Sequence, residues 1–327
     1  MAQKKGSVLC VDDEPGILRS LKWLLQKEFD VMTANSGQEG LELVKKNSFD
    51  VVISDQRMPG MTGSEFLREV RKTSPRPMRI LLTGYSDLQS ILRSVNEGEV
   101  FRFINKPWNI AELPRIVAEA AAIAQDQPAP EAISDETESL PILGSSHPIL
   151  LVDDDPAIAD LIGEAVGTRV VHATNLADAI ECLNSETISV IVADTRVDGT
   201  DTTRLLKMLK QKHPHLVAVV FSKLNDADEV VTLINQGQIY RFVPKPAKVV
   251  YLKIVIQSAL RKHAQLIENP DTLKRHAVQS VTADVEKSLM VDVQQSIQRK
   301  SVNSKQPDGG VSLLNKITGG FLRLFKI

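Results

Sequence analysis

The feature that most constrains the fold is an internal repeat that runs through most of the 327 residues. Three blocks occur twice in the same order: Val8–Pro15 and Ile149–Pro156, Val51–Gly60 and Val190–Gly199, and Val95–Pro107 and Ile234–Pro246. Equivalent residues are 141 positions apart in the first block and 139 in the other two. A single two-residue deletion explains that change, so the chain is a tandem duplication of one domain.

Each copy alternates short apolar runs with amphipathic ones. In the first copy, SVLCV is followed by GILRSLKWLLQKEF, whose residues Ile17, Leu18, Leu21, Leu24 and Leu25 fall on one helical face. The pattern predicts five strands alternating with five helices in each copy. Such an alternation indicates an α/β fold with a parallel five-stranded sheet covered on both faces.

These patterns predict four regions along the chain. The two domains span residues 7–124 and 148–263, and a linker of residues 125–147 joins them. From Asp126 to His147 the linker contains five acidic residues, no lysine or arginine, and prolines at 128, 130 and 141. That composition favours an extended, flexible segment. Residues 264–327 form a tail with amphipathic helical segments.

Composition excludes several classes of protein. Apolar residues make up 43% of the chain and charged residues 24%, and the formal net charge of −2 gives no bulk basic field for nonspecific nucleic-acid binding. The two cysteines, Cys10 and Cys182, are too few for a disulfide framework and are interpreted as inert thiols. No signal peptide and no run of about 20 apolar residues is present. These features predict a cytoplasmic protein.

Polar residues recur where the predicted strands end. In the first copy they are Asp12, Asp13, Asp55, Thr83 and Lys106, and in the second Asp153, Asp154, Asp194, Ser222 and Lys245. Because ligands of open α/β sheets bind beyond the carboxyl ends of the strands, we expect each set to form one site. A single aspartate at a strand end is most often a helix cap. Five matching positions in one order, twice, favour the functional interpretation.

The residue types indicate the chemistry of that site. Three carboxylates on one rim repel one another unless a cation neutralises them, and oxygen ligands without His or Cys favour Mg²⁺. The lysine supplies a point charge for a phosphate, and the Thr or Ser hydroxyl can donate a hydrogen bond to it. An aspartate can then act as a nucleophile and form an aspartyl-phosphate.

The motifs SDQRMPGMTG, LTGYSD and RFINKPW of the first copy resemble the receiver domains of bacterial two-component response regulators. They are most similar to receivers of phosphodiesterase-linked and hydrogenase-type regulators. The resemblance covers residues 7–124 and 148–263 and implies a flavodoxin-like (βα)₅ fold with strand order 2-1-3-4-5. It implies Mg²⁺-dependent phosphorylation of Asp55 by a sensor histidine kinase or a histidine phosphotransfer protein. It also implies a domain that catalyses only its own phosphorylation and dephosphorylation, and so is not an enzyme with a separate substrate.

The resemblance also implies individual roles. Asp13, Asp55 and the backbone carbonyl of Arg57 would hold Mg²⁺, with Asp12 acting through water, and Thr83 and Phe103 would form the conformational switch. The corresponding residues of the second copy are the metal ligands Asp153, Asp154, Asp194 and Arg196, the switch pair Ser222 and Phe242, and Lys245.

The second copy departs from the pattern around its acceptor. Pro59 is replaced by Asp198, Gly63 by Thr202 and Gly84 by Lys223. A long cation at 223 could narrow access to Asp194 or add a contact to the phosphate. Asp55 is therefore predicted to be phosphorylated and Asp194 to be a second acceptor. The alternative is a second domain kept mainly for pairing or for binding the first.

The tail contains two amphipathic segments. Asp284–Lys300 has Val285, Leu289, Val293 and Ile297 at four-residue spacing, which predicts a helix. The last segment, VSLLNKITGGFLRLFKI, places its apolar residues on one face: Leu314, Ile317, Phe321, Leu324 and Phe325. Docking on a receiver, binding a partner protein, and peripheral contact with an anionic membrane all remain open for it.

The tail shows no recognisable DNA-binding or output-enzyme motif. The sequence therefore favours a signalling protein that acts through phosphorylation-dependent contact with a downstream protein target, with no nucleic acid expected. The alternative is a transcriptional or other effector whose output element lies in the tail, which has ten Lys or Arg against six Asp or Glu from Lys262 onward. A phosphate sink or relay would share the chemistry of the first interpretation.

Overall fold

The computed structural model describes residues 6–84, 92, 100–126, 148–166, 168–223, 227–237, 239–269, 283–303 and 319. The chain divides into two compact units, and the two repeats are described separately below. The linker residues 127–147 lie outside the described residues, as does the final tail segment apart from Gly319. The fourth of the five helices predicted for the first copy lies outside them too, apart from Leu92.

The first repeat forms a parallel five-stranded sheet with the order β2-β1-β3-β4-β5. Its strands are β1 Gly6–Val11, β2 Phe29–Ala34, β3 Val51–Asp55, β4 Met78–Thr83 and β5 Arg102–Asn105. Its described helices are α1 Pro15–Leu25, α2 Gly37–Lys46, α3 Gly63–Thr73 and α4 Glu112–Gln125. The order is the one expected from the sequence, and the central strands are buried on both faces, which accounts for their continuous apolar runs.

Local sequence signals set the helix ends. Helix α1 begins at Pro15, a residue suited to the first helical turn because its missing N–H has no partner there. The apolar face of α1 buries Leu18, Leu21 and Leu25. The amphipathic run predicted a helix that continues to Phe29, but α1 ends at Leu25, because Phe29 begins β2 and is buried in the core.

The second repeat forms its own parallel sheet with the order β7-β6-β8-β11-β12. Its strands are β6 Ile149–Val152, β7 Val170–Ala173, β8 Val190–Ala193, β11 Val217–Ser222 and β12 Arg241–Pro244. Its helices are α5 Pro156–Val166, α6 Leu176–Ser185, α7 Thr203–Lys212, α8 Ala227–Gly237 and α9 Val249–Glu268. Both sheets therefore have the predicted flavodoxin-like fold.

The second repeat also contains a small hairpin that the sequence interpretation did not include. Strands β9 (Arg196–Val197) and β10 (Thr200–Asp201) pair antiparallel. The two residues between them, Asp198 and Gly199, have positive φ angles of 50° and 70°. Asp-Gly with both residues at positive φ is the preferred connection of a two-residue hairpin.

A further helix, α10 (Ala283–Asn303), lies in the tail, where the spacing predicted a helix over Asp284–Lys300. It packs against α6 and α7 of the second repeat. Among the described residues, no helix is both long enough and apolar enough to cross a bilayer.

Candidate functional site

The sheet of the first repeat brings its predicted site residues to one edge. Asp12 directly follows β1, Asp55 is the last residue of β3, Thr83 is the last residue of β4, and Lys106 follows β5. The backbone N–H of Lys106 donates to the carbonyl of Thr83, which joins two of these strand ends directly (2.8 Å). All four therefore lie at the carboxyl edge, where the sequence placed them.

Lys106 links the two buried carboxylates of this site. Its Nζ lies 2.8 Å from Asp12 Oδ2 and 2.5 Å from Asp55 Oδ1. Burial lowers the pKa of Lys106, but the hydrogen bonds and charges of the two aspartates outweigh it and raise that pKa above its ordinary value. Burial raises the pKa of Asp12 despite the opposing bond from Lys106. The lysine thus stays charged and offsets the two acids.

The remaining contacts orient Asp55, the predicted acceptor. Asp55 Oδ2 accepts a hydrogen bond from the backbone N–H of Arg57 (2.6 Å). The Thr83 hydroxyl donates instead to the carbonyl of Gly84 (3.3 Å). The loop passes so close to the acceptor that a Cβ on Gly63 would lie 2.0 Å from the Asp55 carbonyl oxygen. Glycine is therefore required at 63 for this loop path.

The second site repeats the lysine bridge. Lys245 Nζ lies 2.6 Å from Asp153 Oδ2 and 2.6 Å from Asp194 Oδ2. In contrast to the first site, the hydroxyl of Ser222, the predicted switch residue, donates to Asp194 Oδ1 (2.6 Å). Burial raises the pKa of Asp194, but the bonds from Lys245 and Ser222 outweigh it, so that pKa falls below its ordinary value.

Two further hydroxyls complete the second site: that of Thr195, which the sequence interpretation did not single out, and that of Thr202, which it noted only as a departure from the family pattern. The Thr195 hydroxyl lies 2.7 Å from Ser222 Oγ and 3.3 Å from Asp194 Oδ1. Thr202 replaces the glycine of the first repeat, and its hydroxyl donates to the Asp194 carbonyl. Their positions in the sequence could have indicated both contacts. Thr195 directly follows Asp194, and Thr202 is equivalent to Gly63 of the first repeat.

The remaining predicted site residues lie around these two sites or in the neighbouring strands. Asp13 is exposed beside its buried neighbour Asp12. Asp154 Oδ2 accepts a bond from the backbone N–H of Asp198 in the β9–β10 hairpin (3.1 Å). The predicted switch aromatics Phe103 and Phe242 are buried in β5 and β12. Gly84 and Lys223, which follow the switch hydroxyls, are both exposed.

The donor set of each site fits a hard cation. Carboxylates and a backbone carbonyl supply only oxygen, the ligand type that Mg²⁺ prefers. Within the ranges that the structure describes, no three His, Cys, Asp or Glu side chains form a ready metal cluster. In the first site two of the three acids are bound to Lys106, and the third, Asp13, is exposed toward the rim. The residues present therefore offer a few oxygen ligands, as suits an ion that keeps several waters.

Comparison with known families identifies the domains. The model of the response regulator receiver domain matches residues 8–118 and 149–257, more than half of the chain. The chain belongs to the response regulator receiver family, and both of its repeats are receiver domains.

Among the curated relatives is the hydrogenase transcriptional regulatory protein HoxA of Cupriavidus necator, 39% identical over 129 residues. That match covers 38% of this chain and 27% of the relative. The transcriptional regulatory protein GlrR of Escherichia coli is 36% identical over 137 residues, which cover 41% of this chain and 31% of the relative. The chain thus spans about a third or less of these two relatives.

A solved receiver domain from Clostridium thermocellum is 36% identical, with 37% of this chain and 97% of that one covered and a TM-score of 0.35. The signal receiver domain of an HD domain-containing protein from Pseudomonas fluorescens Pf-5 is 32% identical. It covers 38% of this chain and 100% of its own, with a TM-score of 0.37.

Proposed function

We propose that this chain is a tandem-receiver response regulator that takes a phosphoryl group on Asp55 and on Asp194 and signals through phosphorylation-dependent protein contacts. The single observation that supports it best is the lysine bridge, because it occurs twice with the acceptor aspartate at the end of the third strand of each sheet. The proposed protein is not an enzyme with a separate substrate, since the chemistry ends on its own aspartates.

In the proposed reaction, an Asp55 carboxylate oxygen attacks the phosphorus of a phosphohistidine. The new O–P bond forms as the N–P bond breaks, and the imidazole leaves with the bonding electron pair. Lys106 then offsets the charge of the phosphoryl oxygens, and Thr83 can turn its hydroxyl from the Gly84 carbonyl toward them. Fixed charges of this kind supply most of the catalysis in phosphoryl transfer.

Mg²⁺ is the proposed cofactor, and when bound it would neutralise charge on the transferring group. Asp12, Asp13, Asp55 and the Arg57 carbonyl would hold it in the first receiver. Asp153, Asp154, Asp194 and the Arg196 carbonyl would hold it in the second.

A groove beside the first acceptor supports a protein as the phosphodonor. It has a volume of about 940 Å³ and is lined in part by Ile17, Trp23, Lys106, Trp108 and Ile110. The side chains of Trp23 and Ile110 are 64% and 68% exposed. Because Lys106 belongs to both groove and site, a donor that reaches Asp55 would pass over these apolar residues.

The second receiver has Glu164 and Ala247 at the positions of Trp23 and Trp108. We therefore propose that a sensor histidine kinase or a histidine phosphotransfer protein engages the first receiver preferentially. Trp23→Ala should slow transfer from a phosphorylated histidine kinase several-fold and leave labelling by acetyl phosphate unchanged. Met32→Ala, which removes another exposed apolar side chain, is the matched control. Equal slowing with both donors would rule out this surface.

Control of transcription is a second candidate for the output, because the relatives HoxA and GlrR are transcriptional regulatory proteins. A mobility-shift assay with genomic fragments separates the two outputs. Salt-sensitive binding would favour the effector, and its absence would leave the protein-contact proposal.

Labelling with acetyl phosphate and Mg²⁺ tests the phosphoacceptor proposal. Phosphate that neutral hydroxylamine releases identifies an acyl phosphate. Asp55→Asn and Asp194→Asn should each remove one labelled site, and the double variant should remove both. Asp30→Asn, an exposed aspartate of β2, is the control. Label that persists in the double variant would contradict the proposal, and label on Asp194 alone would reverse the ranking of the two receivers.

A further inference from the structure

The tail helix α10 is attached to the second receiver by both apolar and polar contacts, although it lies beyond the family match that ends at residue 257. Leu289, Val293 and Ile297 form its buried stripe. The Ser296 hydroxyl accepts a hydrogen bond from the Ala177 backbone N–H at the start of α6 (3.2 Å). Asp292 accepts one from Arg204 on α7 (2.7 Å). The helix therefore docks at a defined register.

At its carboxyl-terminal end this helix reaches the loop of the phosphoacceptor site. The Arg299 guanidinium donates to the backbone carbonyl of Asp198 and lies 3.2 Å from the Thr200 hydroxyl. Its Nη1 is also 3.8 Å from the Asp198 carboxylate. Arg299 thus contacts three groups on the β9–β10 hairpin, which begins just after Thr195, the residue that follows the proposed acceptor Asp194.

The same hairpin turn orients an acid of the site. The backbone N–H of Asp198 donates to Asp154 Oδ2 (3.1 Å). Arg299 binds the carbonyl of Asp198, and Asp154 binds its N–H. The two side chains therefore hold the peptide groups on either side of the Asp198 α-carbon. The φ of 50° at Asp198 is a conformation that few residues adopt, so a bond to its carbonyl helps to keep the N–H aimed at Asp154.

We infer that Arg299 is a positioning residue of the second receiver: through the Asp198 turn it holds the Asp154 carboxylate in the orientation that a divalent cation requires. Groups that orient metal ligands strengthen metal binding without touching the ion. Binding of the cation and docking of α10 are then linked, so each favours the other. The first receiver turns at Pro59–Gly60 instead: within the part of the chain that the structure describes, no atom lies within 4 Å of a Cβ placed on Gly60, whereas Arg299 Nη1 lies 3.6 Å from one placed on Gly199. This inference rests on the proposed function, because it takes Asp154 as a metal ligand.

Two equivalent glycines allow the inference to be tested within one molecule. Gly60 and Gly199 occupy the same loop position in the two receivers and have φ angles of 79° and 70°. Full-length protein labelled with ¹⁵N-glycine is titrated with Mg²⁺, and the amide shifts of both residues are followed. Arg299→Ala should raise the Mg²⁺ concentration at half-maximal shift of Gly199 about fivefold or more and leave that of Gly60 unchanged. Arg299→Lys, which can still donate to the Asp198 carbonyl, should restore part of the affinity.

Asp292→Ala is the matched control, because it removes a polar contact of the same helix with α7 rather than with the hairpin. A Gly199 midpoint that does not move in Arg299→Ala, or that moves as much in Asp292→Ala, would overturn the inference. If Gly60 responds to Mg²⁺ in the native protein and Gly199 does not, the inference fails while the proposed function of the first receiver stands. If neither responds and no acyl phosphate forms, both fail.

Discussion

In the first receiver the loop after the acceptor turns at Pro59–Gly60, and in the second it turns at Asp198–Gly199. Gly60 has a φ of 79°, and proline followed by a glycine at positive φ is typical of a type II turn. Asp198 and Gly199 both have positive φ and close the β9–β10 hairpin. The second loop is therefore paired by its own backbone and held by the tail, whereas the first shows neither feature among the residues that the structure describes.

The contacts of the two proposed acceptors, Asp55 and Asp194, differ as well. Asp55 is bound by Lys106 and by the Arg57 backbone, while its switch hydroxyl is turned away. Asp194 is bound by Lys245 and by Ser222. A hydrogen bond to a charged group contributes about 1.5–3 kcal/mol, so Ser222 stabilises the ionised Asp194 carboxylate by roughly that amount, whereas the Thr83 hydroxyl donates to Gly84 instead. The comparison teaches that equivalent residues hold the proposed acceptor through different contacts in the two copies.

The bridging lysines should give the largest effects. Loss of one positioned charge-stabilising donor costs about 100-fold to 1000-fold in rate. We expect Lys106→Met to slow acetyl phosphate labelling of Asp55 by about 100-fold in an Asp194→Asn background. Lys245→Met should slow labelling of Asp194 to the same degree in an Asp55→Asn background. Lys45→Met, an exposed lysine of α2, is the control. Unequal losses would show that the two sites do not share one mechanism.

Substitutions at the loop glycine test whether the two loop paths are distinct. Gly63→Ala should destabilise the first receiver by about 3 kcal/mol, because an added Cβ would overlap the Asp55 carbonyl oxygen. Thr202→Ala, at the equivalent position, should cost only about 1 kcal/mol, the value of the lost bond to Asp194. Both tryptophans lie in the first receiver, so their fluorescence during urea unfolding reports on that domain.

Gly84→Ala is the matched control for Gly63→Ala, since nothing lies within 4 Å of a Cβ added there. It should change stability by less than about 0.5 kcal/mol. A Gly63→Ala variant as stable as Gly84→Ala would show that the first loop can adopt the path of the second.

Exchange of the turn residues tests the hairpin itself. Asp198→Pro should destabilise the second receiver by about 2 kcal/mol, because proline cannot reach a φ of 50° and cannot donate to Asp154. Pro59→Asp should cost less than about 1 kcal/mol, since it mainly frees the unfolded chain. Circular dichroism at far-ultraviolet wavelengths, read beside tryptophan fluorescence, separates the two domains. Equal losses would remove the distinction between the turns.

Much of this molecule follows from short-range sequence signals. Both sheets and the convergence of Asp12, Asp55, Thr83 and Lys106 follow from alternating apolar runs and from the rule that ligands bind at carboxyl ends, and the resemblance to receiver domains added the strand order. The duplication strengthened the prediction of the site residues, because each could be compared with its equivalent in the other copy. The residue roles in metal binding and switching, the tail segment beyond α10 and the region boundaries stay predictions.

Other features depend on contacts that sequence spacing does not show. The four-residue spacing predicted α10, but not that Arg299 would reach a loop about 100 residues earlier. The Asp198–Gly199 hairpin did have a local signal, since Asp-Gly between residues able to pair is a strong turn marker. It was interpreted only as a departure from the family pattern, because the strands on either side are two residues long.

The smallest expected difference between the two receivers is in how their stability changes at acidic pH. In the folded state the pKa of Asp194 lies below its ordinary value, so its ionised form stabilises the domain above about pH 4 and that contribution is lost as pH falls through the lowered pKa. The pKa of Asp12 is raised by burial, so its contribution has the opposite sign: it is present below the ordinary pKa and lost as pH rises through the raised one. Relative to Asp194→Asn, the native second receiver should therefore lose stability on acidification. Relative to Asp12→Asn, the native first receiver should gain stability on acidification. Urea midpoints measured from pH 6 down to pH 3 give both slopes, and slopes of the same sign would mean that the two lysine bridges balance their acids alike.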